Sequence, residues 1–228
     1  MKYLKYFENN IDISKQKLKT LKGLNIPKYV GYFYCNNNQL TSLEFCPEQV
    51  DGDFYCRNNQ LTSLKYCPEY VGGDFDCSYN LIISLEFCPK TVDGDFSCNH
   101  NKLTSLEHCP ETINGYFSCS YNKLTSLKYC PKTIDGNFYC YNNNLTSLEF
   151  LPKHIKGYIS VRNNDWKNPI PYEIINTYVF IDKNTLYTDE QKEKFGSYKY
   201  QKEFLTNTPE KYKDLEPIGF NKQIKEEF

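Results

Sequence analysis

A cysteine returns every 21 residues along this chain, at Cys35, Cys56, Cys77, Cys98, Cys119 and Cys140, and it returns in fixed company. Phenylalanine stands two places before each one (Phe33 through Phe138) and glycine four places before (Gly31 through Gly136, and again at Gly157). Asparagine stands three places after (Asn38 through Asn143), and Leu or Ile five and eight places after, from Leu40 and Leu43 to Leu145 and Leu148. Each unit closes on a Cys-Pro step, as at Cys67-Pro68, except the last, which closes on Leu151-Pro152. A period of this length marks a solenoid, in which each unit buries its apolar side only against its neighbours. Degenerate copies extend the array. Ile11, Ile13, Leu18 and Leu21 form one before it, while Val161 with Trp166, and then Val179, Ile181, Asn184 and Leu186, continue it. Nine coils are expected.

The alternation Phe-x-Cys has the period of a β-strand with both residues on one face, and the following Leu-x-x-Leu turns the same face inward through a loop. Burying a large apolar side chain yields about 1.5–3 kcal/mol, against about 1–2 kcal/mol of backbone entropy per ordered residue. One coil therefore cannot fold alone, whereas a stack can. The asparagine column is expected to form a ladder, its amides satisfying backbone N–H and C=O groups that the turns leave unpaired. The glycine column is expected to supply either a positive φ or close backbone approach at strand entry.

The motif Phe-x-Cys-x-x-Asn-x-Leu-x-x-Leu with its closing Cys-Pro resembles the leucine-rich repeat. It is similar in particular to the short repeats, about 20 residues long, of secreted bacterial effectors, and to uncharacterised repeat proteins of phages and giant viruses. The resemblance covers residues 11 to 187. It implies an α/β-type repeat solenoid dominated by parallel β, right-handed, with an N-terminal cap and degenerate first repeat over 1–27, the solenoid over 28–187 and a small helical cap over 188–228. Two departures stand out. Cysteine takes two columns that are usually aliphatic, and the ubiquitin-ligase domain that follows the repeats in some effectors has no counterpart in residues 165 to 228, which contain no cysteine.

Eleven cysteines suggest a disulfide or metal framework, but the spacing favours buried reduced thiols. The total is odd, so one stays unpaired under any intramolecular scheme. Like cysteines of neighbouring coils would sit about 4.8 Å apart with parallel Cβ vectors, where a disulfide needs Cβ atoms near about 3.8 Å. A ladder also presents ligands in a line, where zinc needs a tetrahedron. Ile13, Val161 and Ile181 substitute in one cysteine column and Leu151 in the other, which is the behaviour of a packing position that suits free Cys as a small hydrophobe. Reduced thiols imply a reducing compartment.

The formal net charge of −1 argues against nucleic-acid and membrane-surface binding, both of which need uncompensated Lys and Arg. No apolar run approaches the length of a membrane span, and the opening residues lack a secretory h-region, so a cytoplasmic location, in the producing or a host cell, is expected. Alanine is absent and arginine occurs only at Arg57 and Arg162, a bias pointing to an AT-rich genome, viral or of a small-genome microbe. The three histidines, His100, His108 and His154, fall in variable repeat columns. No nucleophile elbow, phosphate loop or zinc-binding His pair is present. The chain is read as a non-enzyme without cofactor or metal.

What remains is the surface. Strand residues flanking Phe and Cys point to the opposite face, expected to be concave and to carry binding. One column reads Tyr32, Asp53, Asp74, Asp95, Tyr116, Asn137, Tyr158; the next Tyr34, Tyr55, Asp76, Ser97, Ser118, Tyr139, Ser160; the third Asn36, Arg57, Ser78, Asn99, Ser120, Tyr141, Arg162. A central acidic patch is flanked by tyrosines, which give large contact area at low entropy cost. Carboxylates stacked at coil spacing repel by about 1 kcal/mol per pair in water, so a basic partner would relieve them. The expected partner-binding set is Tyr32, Tyr34, Asp53, Tyr55, Arg57, Asp74, Asp76, Asp95, Tyr116, Tyr139, Tyr141 and Tyr158. The expected partner is an unidentified protein with a basic segment, met by a monomer. The rival reading is a structural or assembly component, for example of a virus particle, with a passive surface. Glu44, Lys65, Glu86, Glu107, Lys128 and Glu149 form a further column expected to make weak neighbour pairs in solvent. Tyr3, Leu4 and Phe7 at one end, and Trp166 with a helix opened by Thr188 and Gln191 at the other, are expected to cap the terminal coils.

Overall fold

The protein is described from a computed structural model over residues 10–165, 167 and the backbone of 179–180. The chain divides into two compact units, Met1–Leu186 and Tyr187–Phe228. The second unit, with the helical cap expected there, lies outside the described residues, as do the capping residues before residue 10 and Trp166.

The first unit is a parallel β-solenoid. Nine two-residue strands pair in chain order into one sheet: β1 (Ile11–Asp12), β3 (Phe33–Tyr34), β5 (Phe54–Tyr55), β7 (Phe75–Asp76), β9 (Phe96–Ser97), β11 (Phe117–Ser118), β13 (Phe138–Tyr139), β15 (Ile159–Ser160) and β16 (Val179–Phe180). The register is that of the repeat, Phe opposite Phe, for example Phe54 opposite Phe75 and Phe75 opposite Phe96. Seven full turns are described between Ile11 and Ile159. At each the backbone donates to the coil that follows, as from Phe75 N to Asp95 O at 2.8 Å and from Cys77 N to Ser97 O at 2.9 Å.

A second strand row was not legible in the motif. Gln49–Val50 (β4), Tyr70–Val71 (β6) and Thr91–Val92 (β8) join Tyr29–Val30 (β2) in a four-stranded sheet. Thr112–Ile113 (β10), Thr133–Ile134 (β12) and His154–Ile155 (β14) form a three-stranded one. The signal lay in the β-branched residue before each Asp-Gly or its equivalent: Val50, Val71, Val92, Ile113 and Ile134 are buried, and such side chains suit a pleated surface. The six core columns are therefore Val/Ile, Phe, Cys, Leu, Leu and the Cys of the Cys-Pro step, all in one continuous cluster.

The asparagines tie coil to coil. Asn101 donates from Nδ2 to Cys98 O of its own coil and to Cys77 O of the coil before, both at 3.1 Å, and its Oδ1 accepts from Ile82 N at 3.0 Å. Asn80, Asn122 and Asn143 repeat the pattern. Each amide thus closes groups that no ladder bond reaches.

The glycines serve close approach, and the positive-φ alternative is set aside: among the described residues Gly23 is the one glycine with positive φ. A Cβ on Gly94 would lie 2.8 Å from Gly73 C and 2.9 Å from Asp74 N, too near for any side chain. Positive φ falls instead on bulky residues. Phe45, Tyr66, Phe87, His108, Tyr129 and Phe150 have φ between 66° and 72°, each as the third residue of a turn closed by a bond such as Cys88 N to Leu85 O at 2.9 Å. Glycine or asparagine is the usual occupant of such a position. A second column, Asn37, Asn58, Tyr79, His100, Tyr121, Asn142 and Asn163, follows the strands with φ between 51° and 57°.

Candidate functional site: the strand face opposite the core

Because Phe and Cys point inward, the residues between them line the sheet's other face, and all twelve expected contact residues lie there. They do not form a single pocket. From Tyr32 to Tyr158 the face crosses six coil spacings, about 29 Å at about 4.8 Å each, and it falls into three linked parts.

At the N-terminal end three tyrosines stack: Tyr32 on Tyr34 with ring centroids 4.4 Å apart, and Tyr34 on Tyr55 at 4.8 Å. The hydroxyls of Tyr34 and Tyr55 reach Asp53 Oδ2 at 3.1 and 3.3 Å, and Tyr55 also lies 3.4 Å from Asp74 Oδ2. Burial and the hydrogen bond to Asp53 push the Tyr34 phenol up to about 12. Tyr55 is raised as well, by burial and then by the fields of Asp53 and Asp74.

In the centre the aspartates turn out to be part of the scaffold. Asp53 Oδ1 accepts from Asp74 N at 3.0 Å, Asp74 Oδ1 from Asp95 N at 2.8 Å, and Asp95 Oδ1 from Tyr116 N at 2.7 Å. Asn137 does the same for Tyr158 N at 3.0 Å. This arrangement explains the glycines further: a Cβ on Gly73, Gly94, Gly115 or Gly157 would collide with the side-chain oxygen of the preceding Asp or Asn. Each carboxylate therefore anchors one oxygen to the next coil and turns the second outward, where those of Asp53 and Asp74 meet the tyrosine hydroxyls. The repulsion anticipated for stacked carboxylates is offset by these amide donors, since hydrogen bonds to a carboxylate favour its charged form. Asp95 is nevertheless raised, because burial outweighs its bond from the Tyr116 amide, and Asp74 and Asp53 add to the effect. Asp76 pairs loosely with Arg57, Oδ2 to Nη1 at 3.6 Å, and accepts from Ser78 N at 2.9 Å.

At the C-terminal end the rings meet edge to face: Tyr116 with Tyr139 at 6.0 Å, Tyr139 with Tyr158 at 5.6 Å and with Tyr141 at 6.5 Å. The hydroxyls of Tyr139 and Tyr158 lie 2.6 Å apart, and Asn137 Nδ2 donates to Tyr139 Oη at 3.1 Å. The Arg162 guanidinium sits 5.7 Å from the Tyr141 ring centre. Tyr116 joins this bank to the acidic centre. Its phenol is pushed up to about 12 by burial and then by Asp95, Asp76 and Asp74. Between the two tyrosine banks Ser97, Ser118 and Ser120 are buried, a low floor between taller walls.

The arrangement is suited to holding charge and aromatic surface in fixed positions, and its chemistry is not that of an activated nucleophile. The eleven cysteines carry free thiols. Burial raises Cys46 and Cys88 to about 12 and holds Cys35, Cys56, Cys77 and Cys119 well above the ordinary thiol value, the reverse of what a reactive cysteine needs. Sulfur instead donates to backbone oxygen, Cys46 to Tyr66 O at 2.7 Å and Cys88 to His108 O at 3.2 Å.

Two features escaped the sequence. His100 is sandwiched between Tyr79 and Tyr121, with ring centroids 4.1 and 4.0 Å away, and burial lowers its imidazole. The expected neighbour pairs of the Glu44-to-Glu149 column are replaced by contacts within a coil: the ammonium of Lys65 lies 5.1 Å from the Tyr66 ring centre and that of Lys128 4.8 Å from Tyr129. In this column Lys goes with Tyr and Glu goes with Phe or His, a pairing visible in the sequence.

No protein-family model matches the chain, and no curated protein matches it. Solved structures do. The leucine-rich-repeat domain of a Shigella effector aligns with a TM-score of 0.58 at 17% identity, over 76% of this chain and 80% of that one. YopM from Yersinia enterocolitica aligns with a TM-score of 0.58 at 19% identity over 76% of this chain, which spans 42% of YopM's length. The fold is thus the leucine-rich-repeat solenoid of the bacterial effector type.

Proposed function

We propose that this chain is a non-enzymatic protein-interaction module that engages its partner along the strand face, with a basic segment of the partner over Asp53, Asp74 and Asp95. Tyr32, Tyr34 and Tyr55 flank that segment on one side, and Tyr116, Tyr139, Tyr141 and Tyr158 on the other. One observation carries the reading. The aspartates are fixed through one oxygen, so the outward oxygens are ordered at coil spacing before any partner arrives, and preorganised groups lose little entropy on binding. The loose pair of Arg57 with mostly covered Asp76 fits the same picture, an exposed cation that an incoming Lys or Arg replaces. The module acts as a monomer in a reducing compartment, where its thiols stay reduced.

The test follows from the ladder. Reversing the charges with Lys would break three interactions with backbone amides and confuse folding with binding. The triple variant Asp53→Asn, Asp74→Asn, Asp95→Asn keeps an acceptor at every rung, as Asn137 already does, and removes the charge by turning each outward oxygen into an amide N–H2, which Tyr34 and Tyr55 meet as acceptors where they donated to Asp53 and Asp74. A partner captured by the native chain and identified should bind this variant at least about tenfold more weakly, with the difference shrinking at high salt. Equal binding removes the strand-face proposal and leaves the passive structural reading.

A further inference from the structure

The repeat supplies its own control, because positions with the same backbone role in successive coils can be compared side chain by side chain. Residues 39, 60, 81, 102, 123 and 144 are equivalent, and each of 60, 81, 102 and 123 donates the same backbone bond to the preceding coil: Gln60 N to Leu40 O at 2.9 Å, Leu81 N to Leu61 O at 2.8 Å, Lys102 N to Ile82 O at 2.9 Å and Lys123 N to Leu103 O at 2.8 Å. The side chains are Gln, Gln, Leu, Lys, Lys and Asn. Two places on, the column is Thr41, Thr62, Ile83, Thr104, Thr125 and Thr146. The fourth coil alone replaces a polar residue with an aliphatic one in both columns. Neither replacement serves the core: Leu81 is 40% and Ile83 64% exposed, while Asn80 and Ile82 between and before them are buried as in the other coils. Tyr79, 52% exposed, precedes them at the left-handed position that follows the strand, with one face of its ring on His100. Three large apolar side chains thus face solvent across one coil of an otherwise polar loop surface, an arrangement that marks an interaction site.

The next two coils complete the pattern. Between residues 54 and 137 the chain has six lysines. Lys65 and Lys128 lie over tyrosine rings, and Lys90 and Lys132 pair with Glu69 and Glu111. Lys102 and Lys123, exposed and in the same column as Leu81, make no such contact among the described residues. Two unneutralised cations therefore continue the apolar line along the solenoid axis, about 4.8 and 9.6 Å beyond Leu81 at one coil spacing each.

We infer that this loop face, separate from the strand face, is a docking site for an extended acidic peptide segment whose apolar residue packs on Tyr79, Leu81 and Ile83 and whose carboxylates meet Lys102 and Lys123. An extended chain advances about 3.3 Å per residue, so its acidic side chains fall one or two residues, and three residues, after the apolar anchor. The inference rests on charge complementarity beside the apolar line and on the departure from the repeat, and it does not depend on the strand-face proposal.

The experiment selects a phage-displayed library of random decapeptides on the folded full chain and titrates the enriched peptides by fluorescence anisotropy. The expected result is enrichment of an aliphatic or aromatic residue followed within one to three places by Asp or Glu. Binding should fall about tenfold or more in the double variant Leu81→Gln, Ile83→Thr and in Lys102→Glu, Lys123→Glu, and stay unchanged in the triple Asp-to-Asn variant of the strand face. Leu81→Gln and Ile83→Thr install the residues of the third coil, so folding is preserved, and its thermal midpoint is the check. Enriched peptides without acidic residues, no enrichment, or binding indifferent to both double variants would overturn the inference. So would sedimentation showing that the apolar line joins two copies of the chain.

Discussion

At the level of single residues, each column position performs one physical task, and asparagine performs the most demanding one. Asn101→Ala would leave Ile82 N without its partner in a buried setting and would take one of two amide donors from Cys77 O, which keeps Asn80, and from Cys98 O, which keeps Asn122. At about 1–3 kcal/mol for the one group left unsatisfied and about 0.5–1.5 kcal/mol for each further bond lost, offset in part by relaxation, the variant should lose roughly 2–4 kcal/mol in urea unfolding, whereas Asn99→Ala on the strand face should lose under about 1 kcal/mol. The aspartates give a pH signature. Asp95 is raised above its ordinary value of 3.8 in the folded chain, so the folded state holds its proton more tightly than the unfolded one. Its contribution is fully present below 3.8 and is lost as pH rises through the folded value. Asp95→Asn should therefore melt higher than the native chain at neutral pH, with the gap closing as pH falls below 3.8; a gap that widens toward acid would show that the amide bond, and not burial, dominates. The acidic and tyrosine columns were readable from spacing alone. That each carboxylate is also a structural acceptor was not, because the donor is a backbone amide one coil away and leaves no mark on the sequence.

At the level of elements, period two identified the Phe-x-Cys strands, and the register of the repeat identified their partners. The second row escaped because Val50, Val71 and Val92 stand alone as apolar residues between polar ones, and a two-residue strand is too short to show a period. The turns were harder still. Phe45, Tyr66, Phe87, His108, Tyr129 and Phe150 occupy a left-handed backbone that costs a non-glycine residue about 1–2 kcal/mol, and an aromatic residue before Cys-Pro gives no hint of it. Half of each such ring faces solvent, Phe87 among them. Phe87→Asn should consequently change stability by no more than about 1 kcal/mol, since asparagine tolerates the turn and offsets the lost contact. A loss above about 3 kcal/mol by urea unfolding would place these rings in the core.

At the level of the first unit as a whole, the repeat turns a linear code into three surfaces with separate tasks. Apolar columns face inward, strand residues form the acid and tyrosine face, and loop residues form a polar rail broken by Tyr79, Leu81 and Ile83. The fold was legible because six near-identical copies average out local ambiguity. The site was legible only as a list of columns, since the division of the strand face into two tyrosine banks and an acidic centre depends on ring packing that spacing does not encode. All of it depends on sulfur lying inside the coils. Residue-resolved alkylation with iodoacetamide, read by mass spectrometry, measures this directly. Cys35, Cys56, Cys77, Cys98, Cys119 and Cys140 should remain unmodified in the native chain and react together only when urea unfolds it, with the partly buried Cys46, Cys67, Cys109 and Cys130 reacting earlier. Rapid native labelling of the first six would contradict the architecture and every surface drawn from it.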